Sequence, residues 1–143
     1  RGLPAASIAR AFILFPDPWP KRRHAKRRLV QPALLAELAR VMKPGAELRI
    51  GTDIGDYART VLLAMRETPE FAWIATGPAD WRVRPDDWPS TRYEQKGLRE
   101  GRRCYYLRFV LGASVAQCQP RSLLGAPVAQ CQPRRAGDGE CLA

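Results

Sequence analysis

The sequence predicts an α/β fold, in which helices cover a sheet that has a parallel portion. The continuous apolar run from Ala11 to Phe15 ends at a proline, as a buried parallel strand does. Two amphipathic helix patterns each follow a strand candidate, and this alternation is typical of α/β sheets. Asp17 and Asp53 come directly after the first two strand candidates. They therefore belong at the sheet edge where such folds bind ligands.

The predicted elements follow one another along the chain. The first strand, residues 8–15, is expected to be buried on both faces because its apolar residues are continuous. Three prolines between residues 16 and 20 prevent helix formation and strand pairing immediately afterwards. A helix begins near Pro32, places its apolar residues on one face and stops at residues 43–45. The remaining predictions are a strand over 47–51, a helix over 56–67, and strands over 71–75 and 104–111.

Two parts of the chain depart from this pattern. Residues 77–103 are polar, contain prolines and are poorly periodic, yet their tryptophans argue against disorder, so we expect a functional loop. Residues 112–143 are predicted to form a disordered, low-complexity tail. In this tail the sequence Val-Ala-Gln-Cys-Gln-Pro-Arg occurs at 115–121 and again at 128–134. The predicted domain therefore spans residues 1–111.

The charge of the chain is strongly positive and unevenly distributed. The formal net charge is +10 and the isoelectric point is about 10.2, which favours a polyanionic partner. Six of the eight residues from 21 to 28 are Lys or Arg. This clustering predicts a nucleic-acid-binding segment.

Several classes of protein are disfavoured by the sequence. No run approaches the roughly 20 apolar residues of a membrane span, and the start of the chain has no signal-peptide pattern. The four cysteines form no Cys-x-x-Cys pair, and with one histidine they leave a zinc site poorly supplied. We therefore expect a cytoplasmic protein with reduced thiols, no metal and no membrane contact.

The turn around Asp17 is the first candidate site. A Pro-Asp-Pro sequence by itself is more often a plain turn, but this one lies between a buried strand and a basic run. That position favours an acid that acts next to a nucleic acid. Trp19 is either part of the core or a stacking surface for a base or cofactor ring. The basic run is either a solvated face or a phosphate-binding segment, and its place beside the ligand edge favours phosphate contact.

A second candidate site follows in the loop region. A carboxylate accepts two hydrogen bonds from the N1–H and N2–H₂ groups of guanine, and Asp53 and Glu94 both suit this role. The structural alternatives are a helix cap for Asp53 and an ion pair for Glu94.

Three motifs, taken in order, resemble the bacterial tRNA (guanine-N7)-methyltransferases. They are Phe-Pro-Asp-Pro-Trp-Pro-Lys through Lys-Arg-Arg-Leu at 15–29, Gly-Thr-Asp at 51–53, and Thr-Arg-Tyr-Glu-x-Lys-Gly at 91–97. The likeness covers roughly residues 3–110. It implies the C-terminal part of a Rossmann-like class I methyltransferase sheet, whose strand order is 3-2-1-4-5-7-6. Residues 8–15 would be its fourth strand and residues 104–111 its last, antiparallel strand.

The resemblance also implies a function. The family transfers a methyl group from S-adenosylmethionine to N7 of a guanine in the variable loop of tRNA, at tRNA position 46. By motif, Asp17 would be the catalytic and cofactor-binding acid, no metal would be needed, and the enzyme is expected to be a monomer. The residues that would hold the guanine-bearing substrate are Lys21, Asp53, Thr91, Arg92, Tyr93 and Glu94. Those that would contact RNA are Arg23, His24, Ala25, Lys26, Arg27 and Arg28.

One part of the family pattern is missing from this sequence. The family's glycine-rich cofactor loop precedes the first motif, but only fourteen residues precede Phe15 here and no Gly-x-Gly-x-Gly occurs. We therefore expect this chain alone to be inactive and to expose the apolar edge of its first strand. Two alternatives stay open: a catalytically incomplete RNA-binding fragment, and a methyltransferase that acts on an amino group of a nucleic acid.

Overall fold

A computed structural model describes residues 2–112 of the chain. Four strands form one mixed sheet with the spatial order β1-β2-β4-β3. Strands β1 and β2 are parallel, and β4 is antiparallel to both of its neighbours. The α/β class is confirmed, and the order equals the 4-5-7-6 half of the sheet that the resemblance implied. The strand bounds are β1 Ile8–Leu14, β2 Met42–Thr52, β3 Phe71–Trp73 and β4 Tyr105–Leu111.

One face of the sheet is covered by two helices, α1 (Pro32–Val41) and α2 (Gly55–Arg66). The two central strands present alternate apolar residues to this face, and in the register Leu48 lies opposite Phe109. These side chains join Tyr57 and Val61 of α2 in the main core, where all four are buried. Burying each such side chain stabilises the fold by roughly 1.5–3 kcal/mol.

The opposite face of the sheet carries charged and aromatic side chains. Trp88 packs edge-on against Tyr106 of β4 at 5.2 Å between ring centroids. Together with Cys104 these rings form a second, smaller buried cluster, in which burial raises the pKa of the Cys104 thiol. The cluster covers the end of the sheet where β1 and β2 finish, because Leu14 and Phe15 pack against it.

Strand β1 differs from its prediction. It was expected to be buried on both faces, but it is an edge strand of the sheet in residues 2–112, and Phe12 is exposed. Within residues 2–112, β1 pairs only with β2, so its other edge has no strand beside it.

Strand β2 begins earlier than predicted. Helix α1 ends at Val41, but the chain enters β2 at Met42 instead of after a break at residues 43–45. Gly45 has a φ of +78°, and the register with β1 shifts between Ile8 and Arg10. A left-handed glycine in an irregular edge pairing lets the strand pass this point without a full turn. Strand β3, in contrast, ends before its predicted boundary.

Residues 77–103 contain two helices that the prediction missed, α3 (Ala79–Arg82) and α4 (Arg92–Arg99). A 3-10 helix (Arg22–Arg27) also forms within the basic run, after the three prolines. Helix α4 buries Glu94 and Gly97, so its buried face has no apolar pattern that could be recognised. The predicted tail over 112–143 lies outside the described residues, apart from Gly112.

Candidate active site

An open cleft lies where the two parallel strands end. Leu14 of β1 is in register with Gly51 of β2, so the segments that follow both strands come together at the same edge of the sheet. Helix α4 and the start of β4 provide the other side. The cleft has a volume of about 250 Å3 and is lined by Phe15, Pro16, Asp17, Pro18, Asp53, Ile54, Tyr93, Lys96 and Arg102. The prediction that Asp17 and Asp53 share one edge is confirmed.

Asp17 projects from a turn with an unusual backbone. The residues two places before and two places after it, Phe15 and Trp19, have φ values of 50° and 41°. Left-handed conformations cost residues other than glycine roughly 1–3 kcal/mol, and they persist only where surrounding contacts enforce them. The Phe15 N–H donates to the Gly51 carbonyl at 2.8 Å, which fixes the first of them. The Asp17 carboxylate itself is exposed.

Asp53 is held in a more enclosed position. Its side chain is 15% exposed, and Arg102 donates from Nε to Asp53 Oδ2 at 2.6 Å. This hydrogen bond raises the pKa of Arg102. Helix α4 approaches Asp53 so closely that a Cβ at Gly97 would lie 2.9 Å from Oδ2. Glycine at this position therefore lets α4 pack against the Asp53 carboxylate.

Residues 91–94 are brought to the cleft only in part. Thr91 is the N-cap of α4, and its hydroxyl accepts a hydrogen bond from the Glu94 N–H at 3.1 Å. Arg92 is exposed, and Tyr93 is exposed and lines the cleft. Glu94 does not line the cleft, because its side chain is fully buried.

Glu94 lies in a network of hydrogen bonds below α4. Its Oε1 accepts from Arg84 Nε at 2.9 Å and from the Tyr106 hydroxyl at 2.8 Å. Burial, together with this bond to Glu94, raises the pKa of Tyr106 far above its usual value. The ion pair named as the structural alternative for Glu94 is therefore present.

The basic segment borders the turn that carries Asp17. Lys21 is exposed but does not line the cleft. Of the other residues expected to contact RNA, Arg23, Ala25, Lys26 and Arg27 are exposed and His24 is half-buried. The Trp19 ring packs edge-on against His24 at 5.7 Å, and the Arg27 guanidinium lies 5.0 Å from its centroid. Arg28 alone among the predicted RNA contacts is buried.

Two cleft residues were not singled out from the sequence, Arg102 and Ile54. Arg102 lies just before β4, and β4 is antiparallel to β2, so its start falls at the same edge as the end of β2. The antiparallel strand over 104–111, which the resemblance implied, was thus a signal that pointed to Arg102. Ile54 carries no such signal.

A smaller recess of about 130 Å3 lies elsewhere, lined by Ile74, Ala75, Thr76, Asp80 and Arg108. Asp80 Oδ2 accepts hydrogen bonds from the Thr76 and Gly77 N–H groups at 2.8 and 2.9 Å. These bonds, above all the one from Thr76, lower the pKa of Asp80. This carboxylate is already used to fix the local turn.

Within residues 2–112, no group of three or more His, Cys, Asp or Glu side chains is placed to hold a metal ion. In the same range no helix has the length and apolar character needed to cross a membrane.

Comparison with known proteins places the chain in a family. A family model described as "Putative methyltransferase" matches residues 1–107. The chain belongs to this methyltransferase family. Membership in a methyltransferase family implies a methyl donor.

Curated members of similar sequence carry the name tRNA (guanine-N(7)-)-methyltransferase. The protein from Ruegeria pomeroyi is 60% identical over 109 residues, which are 75% of this chain and 45% of that protein. The protein from Rhodospirillum rubrum is 52% identical over 107 residues, 75% of this chain and 42% of its own length. The protein from Nitrobacter hamburgensis is 50% identical over 115 residues, 80% and 45% of the two chains. The chain thus spans less than half the length of these relatives.

Proposed function

We propose that the chain contributes the substrate side of a tRNA (guanine-N7)-methyltransferase. The observation that carries the proposal is the cleft, where the exposed carboxylate of Asp17 and the partly buried carboxylate of Asp53 lie together beside a basic 3-10 helix. The names of the similar methyltransferases support the same substrate. Because tRNA is the proposed substrate, we place the activity in the cytoplasm.

The chemistry requires positioning more than acid–base catalysis. N7 of guanine is a lone-pair acceptor on the base edge, so no proton has to leave before it attacks a methyl group. Positive charge passes to the purine as the methyl group moves. An exposed carboxylate such as Asp17, held in a fixed turn, stabilises this charge electrostatically and need not act as a base.

S-adenosylmethionine is the methyl donor that we propose, and the residues present suit one side of its site. When bound, it supplies an electrophilic methyl group on a positively charged sulfur. Asp17 is exposed and lines the cleft, so its carboxylate is available to a cation there. We assign Asp17 to both the donor and the reacting base.

The guanine is held from the opposite side of the cleft. Asp53 Oδ2 accepts a hydrogen bond from Arg102 Nε. A carboxylate has about four acceptor sites, so Asp53 also accepts hydrogen bonds from the N1–H and N2–H₂ groups of guanine. Tyr93 offers an exposed aromatic surface on which a base stacks. We assign substrate binding to residues 91–94 as a segment: Thr91 caps the helix, Arg92 and Tyr93 reach the substrate, and Glu94 fixes the segment from below.

The tRNA backbone is gripped by the basic segment. Exposed cations that neutralise phosphates supply affinity that weakens with salt and is independent of base sequence. We assign this role to Lys21 and to the exposed residues of the 3-10 helix, with His24 beside them.

The test uses the longest reading frame that contains this chain, purified with and without Asp17→Ala. We expect Asp17→Ala to reduce methyl transfer from S-adenosylmethionine to a tRNA transcript by at least roughly a hundredfold while tRNA affinity stays within about twofold. Asp86→Ala is the matched control, because Asp86 is an exposed aspartate in another loop. Near wild-type transfer by Asp17→Ala would exclude the catalytic assignment.

Mass spectrometry of the digested tRNA identifies the methylated atom. N7-methylguanosine supports the proposal, whereas N6-methyladenosine or another amino-methylated nucleoside would favour the amino-group alternative. Titration of the longest reading frame with S-adenosylmethionine addresses the remaining alternative, because an RNA-binding fragment binds tRNA but not the methyl donor.

A further inference from the structure

Arg28 is the buried member of the basic segment. Its side chain is only 7% exposed, whereas Arg23, Lys26 and Arg27 are exposed. An arginine that binds a phosphate has to present its N–H groups to the ligand. The environment of Arg28 shows where those groups are used instead.

The guanidinium of Arg28 joins the turn that carries Asp17 to helix α2. Its Nε donates to the Pro18 carbonyl at 3.0 Å, and Nη2 reaches the Trp19 carbonyl at 3.5 Å. On the other side, Nη2 donates to Asp56 Oδ2 at 2.5 Å and Nη1 donates to the Thr60 hydroxyl. The guanidinium also lies 5.7 Å from the ring of Tyr57.

The contacts of Arg28 help to hold the unusual backbone of the turn. Phe15 and Trp19 both have left-handed backbones, which surrounding contacts must enforce. The N–H of Phe15 is fixed to the end of β2, and the carbonyls of Pro18 and Trp19 are fixed by Arg28. Asp17 lies midway between these two points of attachment.

We infer that Arg28 is a positioning residue, which holds the turn over residues 15–20 against α2 so that Asp17 keeps its place in the cleft. It does not contact RNA, although the sequence grouped it with the RNA-binding residues. The inference rests on the function proposed above for Asp17.

The substitution Arg28→Lys discriminates between two roles of Arg28, phosphate binding and positioning of the turn. A lysine at position 28 would keep the positive charge and bind a phosphate well, but it lacks the planar fork that reaches two carbonyls and two side chains together. If Arg28 binds phosphate, Arg28→Lys is therefore a mild change. If Arg28 positions the turn, Arg28→Lys disturbs the turn and leaves phosphate binding intact.

The first measurement is the salt dependence of tRNA binding by the present chain. Each lost phosphate contact reduces the slope of log K against log salt by roughly 0.7–0.9. We expect this reduction for the exposed neighbour in Arg27→Gln and an unchanged slope for Arg28→Gln. A reduction in Arg28→Gln equal to that in Arg27→Gln would overturn the inference.

The second measurement reports on the turn itself. Incorporating 5-fluorotryptophan gives one ¹⁹F signal for each of the four tryptophans, and Trp19→Phe assigns the signal of the turn. We expect Arg28→Lys to shift or broaden the Trp19 signal and leave those of Trp73, Trp81 and Trp88 in place. An unchanged Trp19 signal would contradict the positioning role. Should Arg28→Lys not fold, Thr60→Val removes one attachment on α2 and is expected to shift the same signal.

The activity of the longest reading frame completes the test. Arg28→Lys is expected to lower kcat at least about tenfold with an unchanged KM for tRNA, as a displaced catalytic group does. A raised KM with an unchanged kcat would overturn the inference. If the wild-type chain binds no tRNA, the proposed function fails, whereas the Trp19 signal still decides whether Arg28 positions the turn.

Discussion

The three carboxylates of the proposed site differ in their exposure. Asp17 is exposed, Asp53 shares one oxygen with Arg102, and Glu94 is fully enclosed. A carboxylate that is open to the cleft is available to a ligand, whereas an enclosed one is already neutralised by its protein partners. This difference in exposure matches the three proposed roles: Asp17 as the reacting group, Asp53 as a group shared between Arg102 and the substrate, and Glu94 as a supporting group.

We predict that Glu94→Gln destabilises the fold. The amide oxygen still accepts from Tyr106, but the charge that pairs with Arg84 is lost, and an amide NH₂ replaces Oε2, which has no hydrogen-bond partner in residues 2–112. Leaving buried donors unpaired costs about 2 kcal/mol. Urea unfolding of the chain, followed by tryptophan fluorescence, measures the change.

Glu100→Gln is the matched control for this variant. Glu100 is an exposed acid directly after the same helix, and each of its ion pairs, with Lys96 and Arg102, is expected to contribute less than about 0.5 kcal/mol. If Glu94→Gln keeps wild-type stability but loses affinity for guanine-containing RNA, Glu94 contacts the base directly and its supporting role is wrong.

At the level of elements, a buried arginine attaches the segment before α4 to the sheet. Arg49 of β2 is 2% exposed and pairs with Glu47 at 2.8 Å and with Asp87 at 2.7 Å. Its guanidinium lies 5.7 Å from the rings of both Phe12 and Trp88. The pKa of Arg49 is raised, mainly by its hydrogen bond to Asp87. Since Trp88 packs near Gly51 and Phe15, this attachment also supports the floor of the cleft.

Arg49→Met is therefore expected to lower the free energy of unfolding by about 3 kcal/mol, because it removes a buried cation and leaves the partly buried Glu47 with fewer partners. The comparison variant is Arg10→Met in the neighbouring strand. Arg10 is 50% exposed and lies 3.5 Å from the same glutamate, so its loss should cost under about 1 kcal/mol. Equal effects in chemical unfolding would show that burial does not set the contribution of Arg49.

The elements that could be predicted from the sequence are those with an apolar period. Strand β4 and helix α2 carry such patterns, and both lie within a residue or so of their predicted positions. Helix α4 could not be found in this way because its buried residues are Glu94 and Gly97. Its signal was the capping pair of Thr91 and Glu94, in which the hydroxyl of the first residue accepts the N–H of the fourth.

Some features of the candidate site could likewise be predicted from the sequence, and others could not. The pairing of Asp17 with Asp53 followed from the ends of parallel strands, which is a property of the fold class. The burial of Arg28 could not be read from the sequence, because a basic run looks uniform until the turn over residues 15–20 is placed against α2. Long-range contacts of this kind depend on tertiary packing and leave no local pattern.

At the scale of the whole molecule, the two faces of the sheet differ in character, one apolar and the other charged. One face and its helices form the apolar core, and the other carries a charge ladder in which Glu47 lies among Arg10, Arg49 and Arg108. The cleft lies at one end of this sheet, with the basic 3-10 helix beside it. Because Glu47 touches three arginines of the ladder, its ionisation is linked to the stability of the entire fold.

This linkage predicts loss of stability in acid. Burial opposes ionisation of Glu47, but the hydrogen bonds from Arg49 and Arg108 outweigh it and lower the pKa of the folded carboxyl. A lowered pKa contributes stability that is fully present above the pKa of the unfolded chain, about 4.3, and is lost as the pH falls through the lower folded value. The melting temperature is therefore expected to fall between about pH 5 and pH 3.

Glu47→Gln shows how much of this fall comes from Glu47. The variant should melt below the wild-type chain at pH 7, and the two curves should converge as the pH approaches 3, because protonation removes the same charge from the wild type. Glu70→Gln, which changes an exposed glutamate, should give a curve parallel to the wild type. If the Glu47→Gln curve is parallel as well, the acid sensitivity arises elsewhere and the central place of Glu47 in the charge ladder is wrong.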